Sequence, residues 1–515
     1  MARKWWTLIA VCVATFMLLL DITIVNVALP SIQRDLSASL SSLQWVVDAY
    51  ALTLASFLLV FGSLGDRLGR RRIFTVGFAI FTIASLCCGL SNDPTVLNFF
   101  RALQGVGGAA MFATSLALIA QEFEGRERGR AIGIWGATVG GAVAVGPLIG
   151  GALTDAFGWE WIFFVNVPIG VAAIVLTETR VANVAASDPQ PIDWPGVITF
   201  SLALFGLIFG LIRGNPEGWS SPQILASLSA AAVLMTAFVA LQFRRRNAML
   251  DMSLFRVPAF GGVSIVAWAL SAGMFAMFLY LTLYIQDVLG YTPLQAGLRF
   301  LPVTLLGFFV APISGNLLNR VPARFLLGGG LILVGVGLVL MHGVAVGDSW
   351  TGLLPGFIAA GVGIGLTNPA IASTAIGVVP PARAGMASGI NSTFRQVGIA
   401  TGVASLGAVF QSRIASEVSG MLDSAPPAAQ QHAGQFSDAV SSGAIQQAVS
   451  HAPQGLQGRL VGVADHAFVT AFNEILLIGA AVAVVGGILG VLLTRQRDFV
   501  AAPAEAEAEA EPAAA

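Results

Sequence analysis

Long apolar stretches follow one another down almost the whole chain, broken only by short polar segments. Fourteen are distinguishable, at residues 5–29, 42–63, 72–91, 95–121, 130–153, 162–178, 196–213, 222–243, 260–284, 294–317, 324–343, 351–378, 386–410 and 467–494. A helix needs about 20 apolar residues to cross a hydrocarbon core of about 30 Å. The pattern therefore predicts an all-α polytopic membrane protein with 14 transmembrane helices. The first stretch, behind Arg3 and Lys4, is too long for the apolar region of a signal peptide. It also contains Asp21 and reaches Pro30 where a small-residue cleavage site belongs, so it reads as a retained helix.

Composition agrees with that reading: 56% of residues are hydrophobic and 10% charged, against about 25% charged in a soluble protein. The net charge of −1 and the dispersed basic residues leave no basic face for a nucleic acid. Where the arginines fall sets the orientation. Arg67, Arg70, Arg71 and Arg72, then Arg126, Arg128 and Arg130, then Arg244, Arg245, Arg246 and Arg256 occupy alternate loops, whereas the intervening loops hold isolated cases such as Arg34, Arg213, Arg413 and Arg459. Positive loops stay in the cytoplasm, so both termini are expected there, as an even number of spans requires. Residues 412–466 are rich in Ala, Ser, Gln and Gly and read as a long external loop with room for one short surface helix. Residues 498–515 end in an Ala/Glu/Pro tail expected to be disordered.

The two ends of the chain echo each other. Gly62-Ser-Leu-Gly-Asp66-Arg67 follows the second stretch and Gly315-Asn-Leu-Leu-Asn319-Arg320 the tenth; Arg128-Gly-Arg-Ala-Ile-Gly-Ile precedes the fifth and Arg383-Ala-Gly-Met-Ala-Ser-Gly-Ile the thirteenth. Both matches fall at equivalent places if six helices are duplicated with two inserted between the copies, a layout that places a transport site between the repeats near mid-membrane. The expected organisation is a six-helix bundle over 1–180, a linker with two inserted helices over 181–257, a second bundle over 258–497 and the tail from 498. Cys12, Cys87 and Cys88 lie in apolar stretches and read as packing residues; His342, His432, His451 and His466 show no ligand spacing, so no metal is expected.

Gly62-Ser-Leu-Gly65-Asp66-Arg67-Leu-Gly69-Arg70-Arg71-Arg72 resembles the loop motif between helices two and three of the major facilitator superfamily. Arg101-Ala-Leu-Gln104-Gly105-Val-Gly107-Gly108-Ala109 resembles its fourth-helix motif, and Gly146-Pro147-Leu-Ile-Gly150-Gly151 the fifth-helix motif of its antiporters. Leu20-Asp21-Ile-Thr23-Ile-Val-Asn26-Val-Ala-Leu-Pro30 and Trp159-Glu-Trp161-Ile-Phe-Phe-Val-Asn166-Val-Pro168-Ile-Gly170 resemble the fourteen-helix drug:H+ antiporter branch, the EmrB/QacA type. The second half matches more loosely, through Tyr284-Ile-Gln286-Asp-Val-Leu-Gly290-Tyr291 and Ala384-Gly385-Met-Ala-Ser388-Gly389. The resemblance implies a major facilitator fold and proton-driven efflux of small lipophilic or cationic compounds by alternating access. It further implies a cytoplasmic gate at Gly62, Gly65, Asp66, Arg67, Gly69 and Arg70, and a bacterial plasma membrane as location. The implied partners are small-molecule substrates, protons and the lipid bilayer, with no cofactor beyond the proton gradient.

Ionisable groups inside spans are costly and mark a cavity or a proton path. Asp21 lies about four residues beyond the middle of the first stretch, about 6 Å toward the outside, and Asp48 lies at similar depth in the second, which runs the other way. Arg101 and Glu474 come further out, and Arg395 on the inner side. A carboxyl at such depth holds a proton when buried and releases it when water or a cation arrives. Asp21, Arg101 and Asp48 are thus the expected proton-coupling residues, with a buried structural ion pair between Asp21 and Arg101 as the competing reading. Asp21, Asp48, Trp45, Tyr50, Trp135 and Glu474 are the expected cavity residues, with Trp268 and Tyr280 as further aromatic candidates; an interfacial belt accounts for Trp45 equally well. No nucleotide loop, metal cluster or nucleophile elbow points to an enzyme. A dedicated exporter of one antibiotic or metabolite, a lipid translocator and a non-transporting sensor are the alternatives.

Overall fold

The computed structural model describes residues 3–38, 40–184, 191–245, 248–380, 383–422, 433–441, 445, 449 and 454–499. The side chains of Asn26, Pro30, Leu40, Ser41, Gln44, Arg126, Val143, Ala144, Pro147, Pro216, Pro293, Leu294 and residues 454–456 also lie outside that description. Fourteen long helices follow the expected stretches in order, and no strand occurs among the described residues. They are α1 (Arg3–Asp35), α2 (Leu40–Leu68), α3 (Arg70–Gly89), α4 (Pro94–Glu122), α5 (Gly125–Phe157), α6 (Trp161–Arg180), α7 (Trp194–Glu217), α8 (Pro222–Arg244), α9 (Pro258–Val288), α10 (Pro293–Leu317), α11 (Ala323–Met341), α12 (Leu354–Gly377), α13 (Ala384–Leu422) and α14 (Gln454–Leu493). Thirteen are long and apolar enough to cross a membrane. The remaining one, α5, has 33 residues, about 50 Å of helix. Large apolar side chains such as Ile83, Val233, Phe309 and Leu492 are exposed on the outer faces, where only lipid can cover them.

Several helices start with a polar cap followed by proline, whose missing N–H is no loss in a first turn. Asp93 caps α4 by accepting from the amides of Thr95 (2.7 Å) and Val96 (3.2 Å), and those amides hold its carboxyl below the usual range. Ser221 does the same for α8, and Thr292 and Gln295 form a reciprocal capping box at α10. Within α9 the backbone widens into π-turns at Ser271–Phe275 and Tyr284–Val288, a distortion frequent at functional positions.

α1–α6 pack around one apolar core and α9–α14 around another. The bundles meet along two seams, α2 on α13 and α5 on α10. These pairs exchange under the duplication seen in the sequence, and the echoed segments lie at the seams themselves. A Cβ on Gly62 would strike the Gly385 backbone, and one on Gly315 the Gly129 backbone. Glycine is required at both because the helix backbones touch.

The inserted helices α7 and α8 pack on each other, and α7 also lies against α2 and α13, covering that seam from outside. Leu52 and Leu59 of α2, Phe200 and Leu204 of α7, Phe238 of α8 and Ile390 of α13 share one apolar cluster. Asp193 pins the pair. It accepts from the Gly196 amide (3.1 Å), Gln242 (2.9 Å), Arg245 (3.1 Å) and the Met249 amide (3.2 Å) while fully buried.

One expectation fails in part. The segment 412–466 is not simply a loop: α13 continues to Leu422, α14 begins at Gln454, and a short helix spans Ala433–Ser441. Ala, Ser and Gln carry helix well once no lipid demands apolarity. Arg413 in the α13 extension pairs with Glu417 one turn on at 3.1 Å and reaches Glu474 near the outer end of the α14 span at 3.4 Å. Residues 498 and 499 are described and 500–515 are not, so the expected tail lies outside the described residues.

Candidate functional site

At one end of the α2·α13 seam, the loop between α2 and α3 closes the gap between bundles. Gly69 turns the chain with φ 100°, a conformation that disfavours any residue with a Cβ. That turn brings Arg70 back onto Asp66, donating from Nε at 3.0 Å and Nη2 at 2.9 Å. The same carboxylate reaches the other bundle, where it accepts from the amides of Gly385 (3.1 Å) and Met386 (2.8 Å) in the first turn of α13. Such amides lack intrahelical partners, and the helix dipole favours an anion there. Gly65 packs against Thr114 of α4. Arg67 donates to the carbonyls of Pro191 and Ala248, tying the loop to both ends of the inserted pair. All six residues expected at a gate therefore converge on one junction.

A second ion pair lies nearby. Arg383 pairs with Asp251. Burial pushes the Asp251 carboxyl up, but the Ser253 hydroxyl and amide and the Arg383 guanidinium outweigh it and hold it below the usual carboxylate range.

Deep in the first bundle, α1, α2 and α4 enclose a polar knot. Arg101 donates to Asp21 at 2.5 Å, to Gln104 at 2.8 Å and to the Val46 carbonyl at 2.9 Å, and its guanidinium lies 4.4 Å from the centre of the Tyr50 ring. Gln104 closes the circuit by donating to the second Asp21 oxygen at 2.9 Å. Asp21, Arg101, Gln104 and Tyr50 are each no more than 1% exposed. Both Asp21 oxygens and the Arg101 Nε and Nη1 are met by protein, which is what makes such a pair tolerable in low dielectric. Gln104 carried no role in the sequence reading; a glutamine one helical turn from a buried arginine was the available signal.

The gap between bundles contains a small cavity of about 40 Å³ on the α5·α10 side. Its walls include Gly136 of α5, Phe275 and Phe278 of α9, Thr304 of α10, and Ile364 and Asn368 of α12. The lining is chiefly apolar. Asn368 presents an Oδ1 with no partner among the described residues. No group of three or more His, Cys, Asp or Glu is arranged to hold a metal among the described residues.

With this geometry in view, comparison with known proteins is decisive. A family model described as Major Facilitator Superfamily matches residues 11–403. The chain belongs to the Major Facilitator Superfamily. It is 37% identical to the multidrug resistance protein Stp of Mycobacterium tuberculosis, over 82% of this chain and 78% of that one. It is 33% identical to the tetracenomycin C resistance and export protein of Streptomyces glaucescens, over 98% and 94%. Among solved structures it resembles the human organic anion transporter MFSD10, with a TM-score of 0.61 and 13% identity over 94% of this chain and all of that one. At that identity the likeness shows the fold alone. The chain is a multi-pass membrane transporter rather than an enzyme.

Against this superfamily frame, the expected cavity residues disperse. Asp48 does not join Asp21: it lies two residues before Tyr50, about 200° around α2, and comes within electrostatic reach of Arg213 on the inserted helix α7. Trp45 shares that face, stacked on Phe209 at 5.9 Å with Arg213 over its ring at 5.5 Å. Trp135 is buried inside the first bundle and donates to Thr15 at 2.9 Å. Tyr50 belongs to the polar knot. Glu474 is a partly exposed partner of Arg413 and not a cavity residue, because it lies near the outer end of its span where Arg413 of the extended α13 reaches it. Trp268 and Tyr280 bind within the second bundle, to Thr401 (3.0 Å) and the Val403 carbonyl (3.0 Å). In the helix-five motif, Gly146 packs on Thr23 and Gly150 on Ile24, so α1 and α5 approach closely there, whereas a Cβ on Gly151 would meet nothing. The Pro147 side chain, like those of Asn26 and Pro30, lies outside the described residues.

Proposed function

We propose that this superfamily member exports small amphipathic compounds across a bacterial plasma membrane in exchange for protons, with both termini in the cytoplasm. The bundles rock about the two seams so that the gap between them opens alternately to either side. The observation that carries this reading is the Asp66 junction, where one carboxylate joins three helices of two bundles and can be unmade without unfolding either. The resistance and export activities named for relatives of similar length support the direction and the cargo.

Asp21 is the proposed coupling acid. In the closed arrangement Arg101 and Gln104 seal it, so a proton reaches it only when the helices around it part. Protonation then removes the charge that holds Arg101, and the neutral acid no longer anchors α1 to α4. The gradient of protons is the only energy source the mechanism needs. A dedicated exporter of one metabolite is the second reading, favoured by the relative named for a single antibiotic, which this chain matches over 98% of its length.

The test is efflux of ethidium from cells expressing wild type or Asp21→Asn, with and without a protonophore. Export that stops with the protonophore and is absent in the variant at equal expression is expected. Wild-type export that continues unchanged after the gradient collapses rejects proton coupling.

A further inference from the structure

Two arginines lie within the spans near the middle of the protein, and the structure treats them oppositely. Arg101 has a carboxylate, an amide oxygen, a carbonyl and an aromatic ring. Arg395 of α13 has no hydrogen-bonding, ionic or aromatic partner among the described residues. It is enclosed by the helices yet keeps part of its surface open. It stands 11 residues into α13 from Ala384, about 16 Å above the closed end.

Gly385 and Gly389 of α13 face α2, and Gly398 and Gly402 face α9. At about 100° per residue, Arg395 and Ser388, two turns beneath it, fall on the arc between those two stripes, while Asn391, one turn beneath it, lies on the α9-facing stripe about 40° away. Ser388 is fully buried and Asn391 is 3% exposed. The Ser388 Oγ and the Asn391 Nδ2 have no partner among the described residues. An uncompensated guanidinium and unmet donors inside a membrane are each expensive. Together they describe a site whose missing component is an anion.

We propose that Arg395, with Asn391 and Ser388, binds the acidic group of an amphipathic cargo, a carboxylate or phenolate, in the gap between the bundles. The assignment rests on the export reading, and it shifts the favoured cargo from lipophilic cations to lipophilic acids. Guanidinium suits such a group because it binds carboxylate through two parallel N–H donors.

The experiment is fluorescence anisotropy of fluorescein, which carries both a carboxylate and a phenolate, titrated with the full-length protein in lipid nanodiscs. Ethidium is the cationic comparison. Saturable fluorescein binding is expected, weakened about tenfold by Arg395→Gln, consistent with one lost charge-assisted contact. Arg395→Lys should stay within about threefold of wild type, and Asn391→Ala, which keeps the charge, should lose about threefold. Ethidium binding should not change in any variant. No saturable fluorescein binding by the wild type overturns the proposal, as does an equal loss of both dyes in Arg395→Gln. Ethidium efflux by the same wild-type protein in proteoliposomes reads the export function separately, so failure of one reading is distinguishable from failure of the other.

Discussion

Replacing Asp66 by asparagine removes the charge at the junction of the bundles while keeping the shape of the side chain. The carboxylate accepts two bonds from Arg70 and one each from the Gly385 and Met386 amides. An asparagine has one oxygen, so it retains at most one of the two bonds to α13 and sets its own N–H group against the other donor. One hydrogen bond to a charged acceptor is worth about 1.5–3 kcal/mol, and at 11% side-chain exposure solvent screens little of it. The open fraction should rise by about 10- to 100-fold, since each 1.4 kcal/mol is a factor of ten. A cysteine at Ala387, buried in the α2·α7·α13 cluster, reports that fraction through its rate of alkylation in a background with Cys12, Cys87 and Cys88 replaced by alanine. Alkylation of Ala387→Cys should quicken by that factor in Asp66→Asn, while a cysteine at Ala113, inside the first bundle, should react as before. Unchanged Ala387→Cys kinetics refutes the latch, and equal acceleration at both positions means that the substitution unfolds the protein instead of opening it.

Three further outcomes follow from the geometry. Gly315→Val forces a branched side chain onto the Gly129 backbone, so the α5·α10 seam should weaken by about 1–3 kcal/mol, visible as faster alkylation of a cysteine at Ala311. Asp193→Ala leaves the Gly196 amide, Gln242 and the Met249 amide without their acceptor. It should cost about 3 kcal/mol or more, read as a lowered midpoint of thermal unfolding in detergent. The Asp251–Arg383 pair should be insensitive to pH between 5 and 8. Its carboxyl sits below the usual range when folded, so its stabilisation is fully present above the unfolded value of about 3.9 and is lost only as pH falls through the lower folded value. The stability gap between wild type and Asp251→Asn, at most about 1 kcal/mol for so exposed a pair, should stay constant over that range and shrink only in stronger acid.

The fourteen helices were legible because lipid imposes a single strong requirement, an uninterrupted apolar run, and apart from overruns of five or six residues in α1, α2 and α5 the boundaries agree to about four. They diverge at Leu422 and Gln454 because outside the bilayer that requirement lapses and ordinary helix propensity takes over. The junction at Asp66 was legible as a motif, since Gly69 and the acid–arginine spacing are local. The Asp21–Arg101 contact was legible only as the competing reading, since opposite charges inside the spans of one bundle have few other partners. Side-chain direction was not legible. Depth alone put Asp48 beside Asp21, but depth does not say which face of α2 a residue occupies, and Asp48 faces the inserted helices. Gln104 and Asp193 escaped because their importance lies in the partners that fold around them.

The two seams look equivalent in the sequence, but their chemistry differs, and the difference decides how the molecule can move. On the α5·α10 side, Gly129 and Gly133 pack against Gly315 and Pro312, and Asn319 stands where the other repeat has Asp66, so the contact there is chiefly van der Waals. On the α2·α13 side the matching glycines are joined by a carboxylate seated on helix amides and covered by α7. That helix is tied to both bundles, because Arg67 binds the carbonyls at 191 and 248 on either end of the inserted pair, while Asn215 donates to the Ala404 carbonyl of α13 at 3.0 Å. Among the described residues, the charged contacts that the proposed parting of the bundles would break are thus gathered on one seam. The inserted pair bridges that same seam, so separation of α2 from α13 need not admit lipid through the gap it leaves. A twelve-helix arrangement of the same two bundles would lack that cover, which gives the two additional helices a physical role at the place where the moving parts divide.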